Sequence, residues 1–415
     1  MRICMDLYPI APGGAGGAET FSRWIVDIPQ HLEKDHEFEV LLHPSQGRRS
    51  ERIVRGRRFD PFVVPPPPAR MSLIRRLYYH PRFPELARRF WRLARRPFGT
   101  DRHREDEARR SWLESEGFDV VHCPYPVIDP RPPHHADVPY CINLHDMQHE
   151  HFPQYFTGDE IASRRRNYVW SAKVARAIFV VAEHVKADIV HYCEVPPEKI
   201  HVVWPGPPFE GMPEVTDERR ASVRERYGLP ERFFFYPAVT WEHKNHVRLL
   251  QAVARVRDGR RYDIPLVFSA QAGAYHRQVL EEVTRLDLER KVKWLGYVPY
   301  EDVQALYALA DATVVPTLYE ATSGPVLEAM SMGCPVACST VANLPWVVEE
   351  GDAGLLFDPL DVDAITDTLE RLWEEAELRA RLSAAGRRRV GTFSWKLFAE
   401  GYLRVYEQVA AKGRP

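Results

Sequence analysis

DATVVPTLYEATSGPVLEAMSMGCPVACSTVANLPWVVEEGDAGLLFDP, residues 311–359, is the stretch that decides the fold. Its apolar run at 312–316 predicts a buried strand, and PVLEAMSMG predicts one or two turns of helix. Pro325 suits the first position of that helix, because proline lacks the N–H that would be unpaired there. Gly333 and Pro335 end the helix. The helix N-terminus therefore faces the carboxyl end of the strand, and its free N–H groups favour a phosphate.

Two glutamates flank this phosphate seat. Glu320 directly follows the strand and Glu328 lies on the helix, with seven residues between them. Carboxylates accept hydrogen bonds from sugar hydroxyls, so a phosphate seat between two of them predicts a nucleotide-sugar ligand. Such a spacing also arises by chance in any α/β protein, so the remainder of the segment must decide between the two interpretations.

Strand-like runs alternate with amphipathic helical stretches along the chain. The predicted strands are 2–8, 38–43, 119–123, 140–145, 177–182, 200–206, 233–239, 265–270, 292–298, 312–316, 335–339 and 354–358. Alternation of this kind is typical of parallel sheets covered by helices on both faces. Two sets of about six strands predict two doubly wound domains, and the proline- and acid-rich segment 205–218 predicts the linker.

Composition fits a large globular enzyme. A chain of 415 residues with 45% hydrophobic and 27% charged residues is long enough for two cores. No apolar run approaches the roughly 18 residues that span a bilayer, and the start, MRICMDLYPIAPGG, does not have the pattern of a signal peptide. Six cysteines lie scattered without zinc-site spacing, which predicts reduced core residues in a cytoplasmic protein.

Charge is distributed unevenly. Residues 48–110 contain 19 arginines and seven acidic residues, a balance of +12, so the remainder carries −14 in a chain of net charge −2. Arginine interleaved with apolar and aromatic residues is typical of a helix on an anionic membrane surface. An arginine-rich codon bias with a solvated basic face, or an acidic acceptor, are the alternatives. No nucleic-acid-binding motif accompanies the charge.

The segments PTLYEATSGPVLEAMSMGCPVACS and NLPWVVEEGDAGLLFDPLDVDAI resemble the donor-site signature of the retaining glycosyltransferases of family 4 (glycosyl transferases group 1). The resemblance implies the GT-B fold, an α/β architecture of two Rossmann-like domains with doubly wound parallel sheets facing a central cleft. It implies an acceptor-side domain over 1–206, a donor domain over 207–394, and a final helix within 395–415 that packs back on the first domain.

One loop departs from the family pattern. Ala321, Thr322, Ser323 and Gly324 stand where the family usually has Gly, Phe, Gly and Leu. The predicted donor seat therefore consists of the hydroxyls of Thr322 and Ser323 together with the helix start at Gly324 and Pro325.

The first half of the chain offers two further candidates. Gly16 and Gly17 follow the first strand, and glycine permits a close approach of the backbone to a phosphate or hydroxyl, although a flexible turn has the same composition. His145 and Asp146 follow the predicted strand 140–145. A histidine there can donate a hydrogen bond to a sugar or transfer a proton; a buried or capping histidine, or a metal site with His149 and His151, are the alternatives. The resemblance implies that His145 approaches the transferred sugar and that Asp146 orients its neighbours.

The second half offers a cation and a turn. Lys244 lies at a strand-to-helix junction, where an ammonium group is unfavourable unless an anion is near, and it resembles the family's lysine that binds the diphosphate. The arginine that often precedes this lysine is replaced by Val239. Tyr297 and Val298 resemble the turn that packs on the nucleotide base. The predicted catalytic residues are thus His145, Glu320 and Lys244, with Glu328 binding the ribose.

The resemblance implies transfer of a hexose from a nucleotide-diphosphate sugar, with retention of configuration and with neither metal nor cofactor. GDP-mannose or a related sugar is the favoured donor, and UDP-sugars remain open, as do glycan, lipid-linked and small-molecule acceptors. The Asp361-Val362-Asp363 triplet looks like a metal motif but predicts a helix start. A GT-B sugar-nucleotide epimerase, a phosphorylase and a non-catalytic nucleotide-binding scaffold are the rival functions.

Overall fold

A computed structural model describes residues 1–7, 17–32, 36–42, 62–63, 112–128, 138–260 and 262–412. Two parallel sheets organise the chain. The first contains β1 (Arg2–Asp6), β2 (Glu37–Leu42), β3 (Phe62–Val63), β4 (Val120–Cys123), β5 (Tyr140–Asn143), β6 (Ala177–Val180) and β7 (Ile200–Val202). Its strand order is β3-β2-β1-β4-β5-β6-β7.

The second sheet has the same winding. It contains β8 (Phe234–Tyr236), β9 (Leu266–Phe268), β10 (Val292–Trp294), β11 (Ala312–Val315), β12 (Val336–Ser339) and β13 (Leu355–Phe357). Its order is β10-β9-β8-β11-β12-β13, and every described pairing in both sheets is parallel. The predicted α/β class with two doubly wound sheets is confirmed, whereas the domain boundaries at residues 206 and 394 stay predictions.

Helices connect the strands. In chain order they are α1 (Gly17–Val26), α2 (Gln148–His151), α3 (Gly158–Val174), α4 (Glu183–Cys193), α5 (Asp217–Tyr227), α6 (His246–Arg260), α7 (His276–Arg285), α8 (Tyr300–Leu309), α9 (Gly324–Met332), α10 (Leu344–Val347), α11 (Val362–Glu374), α12 (Ala376–Val390) and α13 (Trp395–Ala411). In the part of the chain that the structure describes, no helix has the length and apolar character needed to cross a bilayer.

The strands are shorter than the sequence predicts. The run 292–298 ends as a strand at Trp294, because Gly296 adopts a φ of +68° and turns the chain. β3 is absent from the prediction, since its two residues lie in a proline- and arginine-rich stretch with no strand periodicity. Apart from β3, the arginine-rich segment 48–110 and its predicted lipid contact lie outside the described residues.

Local sequence explains where several helices begin. Thr157 and Glu160 form a reciprocal capping box at the start of α3, and Thr216 and Ser394 cap α5 and α13 with their hydroxyls. Asp361 accepts hydrogen bonds from the N–H groups of residues 363 and 364, which confirms that this triplet starts a helix. Each cap satisfies N–H groups that the helix leaves unpaired.

The final helix packs on the first sheet. Phe398, Tyr402 and Tyr406 of α13 lie in the hydrophobic core that contains β1. A buried network joins the same helix to two strands: the Asn143 amide donates to the Tyr402 hydroxyl over 2.8 Å, and His122 contacts the Tyr406 hydroxyl. Burial of the apolar stripe and satisfaction of these polar groups fix the helix there. All six cysteines are buried and unbridged.

Candidate active site

The second sheet places two predicted residues together. β8 and β11 are neighbours, although the chain first winds outward through β9 and β10, so the strand order reverses between them. A crevice opens at the carboxyl ends of strands at such a reversal. Lys244 follows β8 and Glu320 follows β11, and the Lys244 ammonium donates to Glu320 Oε1 over 2.6 Å. The side chains are 20% and 10% exposed, so this is a largely desolvated ion pair.

The backbone beside Lys244 is held from three directions. Asn245 adopts a left-handed φ of 59°, and its buried amide donates to the carbonyls of Pro316 and Pro359, each over 2.8 Å. The Tyr236 hydroxyl donates to the Lys244 carbonyl over 3.1 Å. Asparagine tolerates the left-handed region better than other residues with a β-carbon. Asn245 therefore ties the lysine loop to the β11 loop, a role that sequence reasoning missed.

The loop after Glu320 ends in a helix start without a side-chain cap. Ser323 occupies the N-cap position of α9 but makes no capping hydrogen bond. The helix begins at Gly324, so Pro325 takes its second position, one residue later than predicted. The hydroxyls of Ser323 and Thr322 are both buried, and neither has a hydrogen-bond partner among the residues that the structure describes. Buried hydroxyls are normally paired. Two hydroxyls of this kind beside a free helix N-terminus are hydrogen-bond donors that an anionic ligand would satisfy.

Glu328 lies inside the same helix. The Tyr307 hydroxyl of α8 donates to Glu328 Oε2 over 2.7 Å. Burial raises the pKa of Glu328, and the Tyr307 hydrogen bond opposes that rise. Sequence reasoning missed Tyr307, because it reads as one more apolar residue of an amphipathic helix.

The predicted base-binding turn follows β10. Tyr297 is 74% exposed, whereas Val298 is buried. The Gly296 carbonyl accepts a hydrogen bond from the Ala270 amide over 2.9 Å, which anchors the turn to the loop after β9. An exposed ring on an anchored turn is available to a flat ligand.

His145 and Asp146 follow β5 in the first sheet. His145 Nε2 lies 3.2 Å from the carbonyl of Pro124, so it carries the proton and donates to that oxygen. Burial lowers the pKa of His145, which keeps the imidazole neutral and leaves Nδ1 as an acceptor. Asp146 Oδ1 accepts from the Gln148 amide over 3.0 Å and so shapes the start of α2.

Aromatic contacts join the two halves of the site. Tyr319, which precedes Glu320, packs on His151 and Phe152 with ring centroids 5.8 and 6.0 Å apart. On the other flank, Tyr155 lies 6.2 Å from His243, which precedes Lys244. Residues 151–155 therefore contact the residues that immediately precede Glu320 and Lys244 in the sequence.

The glycine loop, the alternative metal site and a surface cavity complete the comparison with the sequence predictions. Gly17 is the first residue of α1, while Gly16 lies outside the described residues. Within the described ranges, no group of three potential ligands has the arrangement of a metal site. A cavity of about 560 Å³ where α13 meets β7 is lined by His201, Trp204 and Arg404 among others, and by none of the predicted site residues.

One further polar group was missed by sequence reasoning. The Asn343 side chain, after β12, is 8% exposed, and within the described part of the chain neither its oxygen nor its nitrogen has a hydrogen-bond partner. Asparagine before a helix reads as a cap, yet this amide makes no capping bond to α10.

Solved structures share this architecture. Sucrose-phosphate synthase from Thermosynechococcus elongatus superposes with a TM-score of 0.72 at 18% identity, covering 100% of both chains. Anabaena HepE, solved in complex with UDP and glucose, gives a TM-score of 0.70 at 15% identity over 98% of this chain and 100% of that one. These similarities define the fold as GT-B.

Sequence comparison leads to the family. Residues 15–208 match "Glycosyltransferase Family 4" and residues 219–389 match "Glycosyl transferases group 1". O-antigen chain mannosyltransferase B of Escherichia coli is 32% identical over 64% of this chain and 69% of its own length. The MMP alpha-(1->4)-mannosyltransferase of Mycolicibacterium hassiacum is 32% identical over 58% of this chain and 56% of its own length. The chain belongs to the family 4 glycosyltransferases of GT-B fold.

Proposed function

We propose that this glycosyltransferase moves a hexosyl group, with retention of configuration, from a nucleotide-diphosphate sugar to a hydroxyl of a glycan, lipid-linked or small-molecule acceptor. One observation carries the proposal: the Lys244–Glu320 pair lies at the strand-order reversal, next in sequence to the unpaired hydroxyls of Thr322 and Ser323 and the uncapped start of α9. This arrangement offers a cation, two hydroxyls and helix N–H groups to a diphosphate.

The proposed chemistry follows from these groups. As the bond between the anomeric carbon and the diphosphate oxygen breaks, negative charge grows on the leaving diphosphate. Lys244 and the N–H groups of α9 stabilise that charge in place, which is worth about 3 kcal/mol for each such donor in comparable sites. Glu320 accepts hydrogen bonds from hydroxyls of the transferred sugar, and Nδ1 of the neutral His145 accepts another from the facing sheet. The acceptor hydroxyl then bonds to the anomeric carbon, and its proton leaves with the diphosphate.

The donor is proposed from the relatives. Two of them are named mannosyltransferases, which favours a mannosyl donor, whereas a solved neighbour holds UDP and glucose. GDP-mannose is therefore the first donor to test and UDP-glucose the second. Transfer independent of a divalent cation is part of the proposal, because Lys244 supplies the positive charge that a metal provides in other transferases.

A donor panel tests the proposal directly. Thermal shift and donor consumption are measured with GDP-mannose, UDP-glucose and other nucleotide-sugars, with and without acceptor and EDTA, and the product anomer is assigned by NMR. We expect one donor to stabilise the protein and to be consumed with retention in EDTA. Epimerised donor without acceptor would show an epimerase, and binding without turnover a scaffold. Near-normal turnover by Lys244→Ala and Glu328→Ala would overturn the site assignment.

Contact with a membrane is a separate part of the proposal. The +12 balance of residues 48–110 favours anionic lipid headgroups and a lipid-linked acceptor. Flotation with vesicles containing phosphatidylglycerol at low salt measures this contact, and neutral phosphatidylcholine vesicles are the control. Equal flotation with both, or none with either, would remove the lipid surface from the list of partners.

A further inference from the structure

The carboxylate of Glu328 is held at one end only. Its Oε2 accepts the 2.7 Å hydrogen bond from Tyr307. Its other oxygen, Oε1, lies 3.9 Å from the position that a β-carbon would take at Gly324, so it borders the first turn of α9. Within the described residues Oε1 makes no hydrogen bond. The carboxylate therefore presents one oxygen with two unused lone pairs beside the proposed diphosphate seat.

Tyr307 cannot easily swing away from this bond. The residue is fully buried, and its ring packs edge-on against Phe235 with centroids 5.0 Å apart. The Phe209 ring also packs against it, with centroids 6.1 Å apart. A closely packed ring has few alternative rotamers, so the hydroxyl is a fixed point against which the Glu328 side chain is oriented.

We propose that Tyr307 is a positioning residue for the nucleoside: by holding Glu328 Oε2, it aims Oε1 at the vicinal hydroxyls of the ribose. A diol donates two hydrogen bonds to one fixed oxygen, whereas a 2′- or 3′-deoxyribose donates one. The inference rests on the proposed function, since it concerns the ribose of the same donor. It goes further by assigning the selection of ribose over deoxyribose to a residue that does not touch the ligand.

Protonation of Glu328 gives a second test of the proposed role of Tyr307. Burial raises the pKa of Glu328, and the Tyr307 hydroxyl is the bond that counteracts it. The titratable groups around the pair are the hydroxyls of Tyr300 and Tyr307 on α8 and the Cys334 thiol after α9, and burial raises the pKa of each of them. They are therefore neutral near pH 7. Loss of the Tyr307 hydroxyl raises the pKa of Glu328 further, and a protonated carboxyl group accepts hydrogen bonds poorly.

Tyr307→Phe tests the proposal, because it removes one oxygen and keeps the packed ring. The matched control is Tyr262→Phe. The Tyr262 hydroxyl donates a 3.0 Å hydrogen bond to Glu374, and this pair lies away from the site. Donor KM and kcat are measured from pH 5 to 8, together with the affinities of the ribo-, 2′-deoxy- and 3′-deoxynucleoside diphosphates. For Tyr307→Phe we expect the donor KM to rise about 5- to 20-fold, while kcat stays within about twofold of its original value. We also expect the preference for ribose to shrink, and the acid limb of the pH profile of kcat/KM to move to higher pH. Tyr262→Phe leaves all of these unchanged.

A double variant separates positioning from packing. In a Glu328→Gln background the carboxylate is gone, so Tyr307→Phe is expected to change neither the ribose preference nor the acid limb any further. Equal effects of Tyr307→Phe in both backgrounds would show a merely structural role and overturn the inference. If Tyr307→Phe leaves the donor KM, the ribose preference and the acid limb unchanged, the inference is overturned too. In that case, weaker donor binding by Glu328→Ala would still leave the proposed function intact. Normal donor binding by Glu328→Ala would also overturn the inference, because Glu328 would then not bind the ribose, whereas failure of the unsubstituted protein to bind and consume any nucleotide-sugar would refute the proposed function.

Discussion

Lys244→Met is the substitution that most sharply tests the geometry of the site. It keeps the length of the side chain and removes the ammonium, so Glu320 is left charged, 10% exposed and without its partner. At 2.6 Å the attraction between the charges is ~6 kcal/mol for an effective dielectric constant of about 20, before desolvation is subtracted. Breaking a buried pair on one side costs about 3–5 kcal/mol. Because the lysine retains 20% exposure, we expect a loss of ~2–3 kcal/mol in the free energy of unfolding.

Urea unfolding and donor turnover measure the two consequences. Glu320→Gln is combined with Lys244→Met in a double-mutant cycle, and we expect the double variant to be more stable than the sum of the single effects by at least ~1 kcal/mol. Turnover falls about 10²- to 10³-fold in Lys244→Met and is not recovered in the double variant, because the leaving diphosphate still lacks its cation.

The control is Lys291→Met, which breaks the more exposed 2.7 Å pair with Asp263 in the same half of the chain. Exposed pairs contribute less than about 1 kcal/mol, and this one lies outside the site, so stability falls slightly and turnover stays normal. If Lys244→Met is no more destabilising than Lys291→Met, and the cycle is additive within about 0.3 kcal/mol, the ion pair does not form in solution and the reasoning is refuted.

Three further predictions follow from buried polar groups. Ser323→Ala removes an unpaired buried hydroxyl, so unfolding free energy stays equal or rises by about 1 kcal/mol while the donor KM increases; lower stability with an unchanged KM would contradict this. Asn245→Ala breaks two buried hydrogen bonds at a left-handed residue and is expected to cost about 2–4 kcal/mol by urea unfolding; normal stability would show that the loop is held otherwise. Burial lowers the pKa of His122, His243 and His246 to about 3, below the ordinary 6.5. The stability that these neutral histidines contribute is therefore fully present above pH 6.5 and is lost as the pH falls towards 3. For all three together, the free energy of unfolding decreases by up to ~4 kcal/mol per pH unit. Urea unfolding between pH 7 and 5 measures how the free energy of unfolding depends on pH, and a free energy that does not change over this range would contradict the prediction.

Much of the local structure was predictable from the sequence. The strand, small-residue loop and helix around Glu320 and Glu328 formed as expected, with Pro325 in the first turn and a left-handed Gly333 at the end. Asp361 caps the start of a helix, as predicted. These features depend on residues close in sequence, through apolar periodicity, proline geometry and hydrogen bonds within one turn.

The contacts that define the site depend on tertiary structure. Lys244 meets Glu320 across 76 residues, and Tyr307 meets Glu328 across 21, because the strand order and the packing of α8 on α9 bring separate loops and helices together. The sequence by itself determined the alternation of strands and helices and the chemical groups available at each strand end. Only the folded chain decided which of those groups pair, since periodicity records which face of an element is buried but not which element covers it.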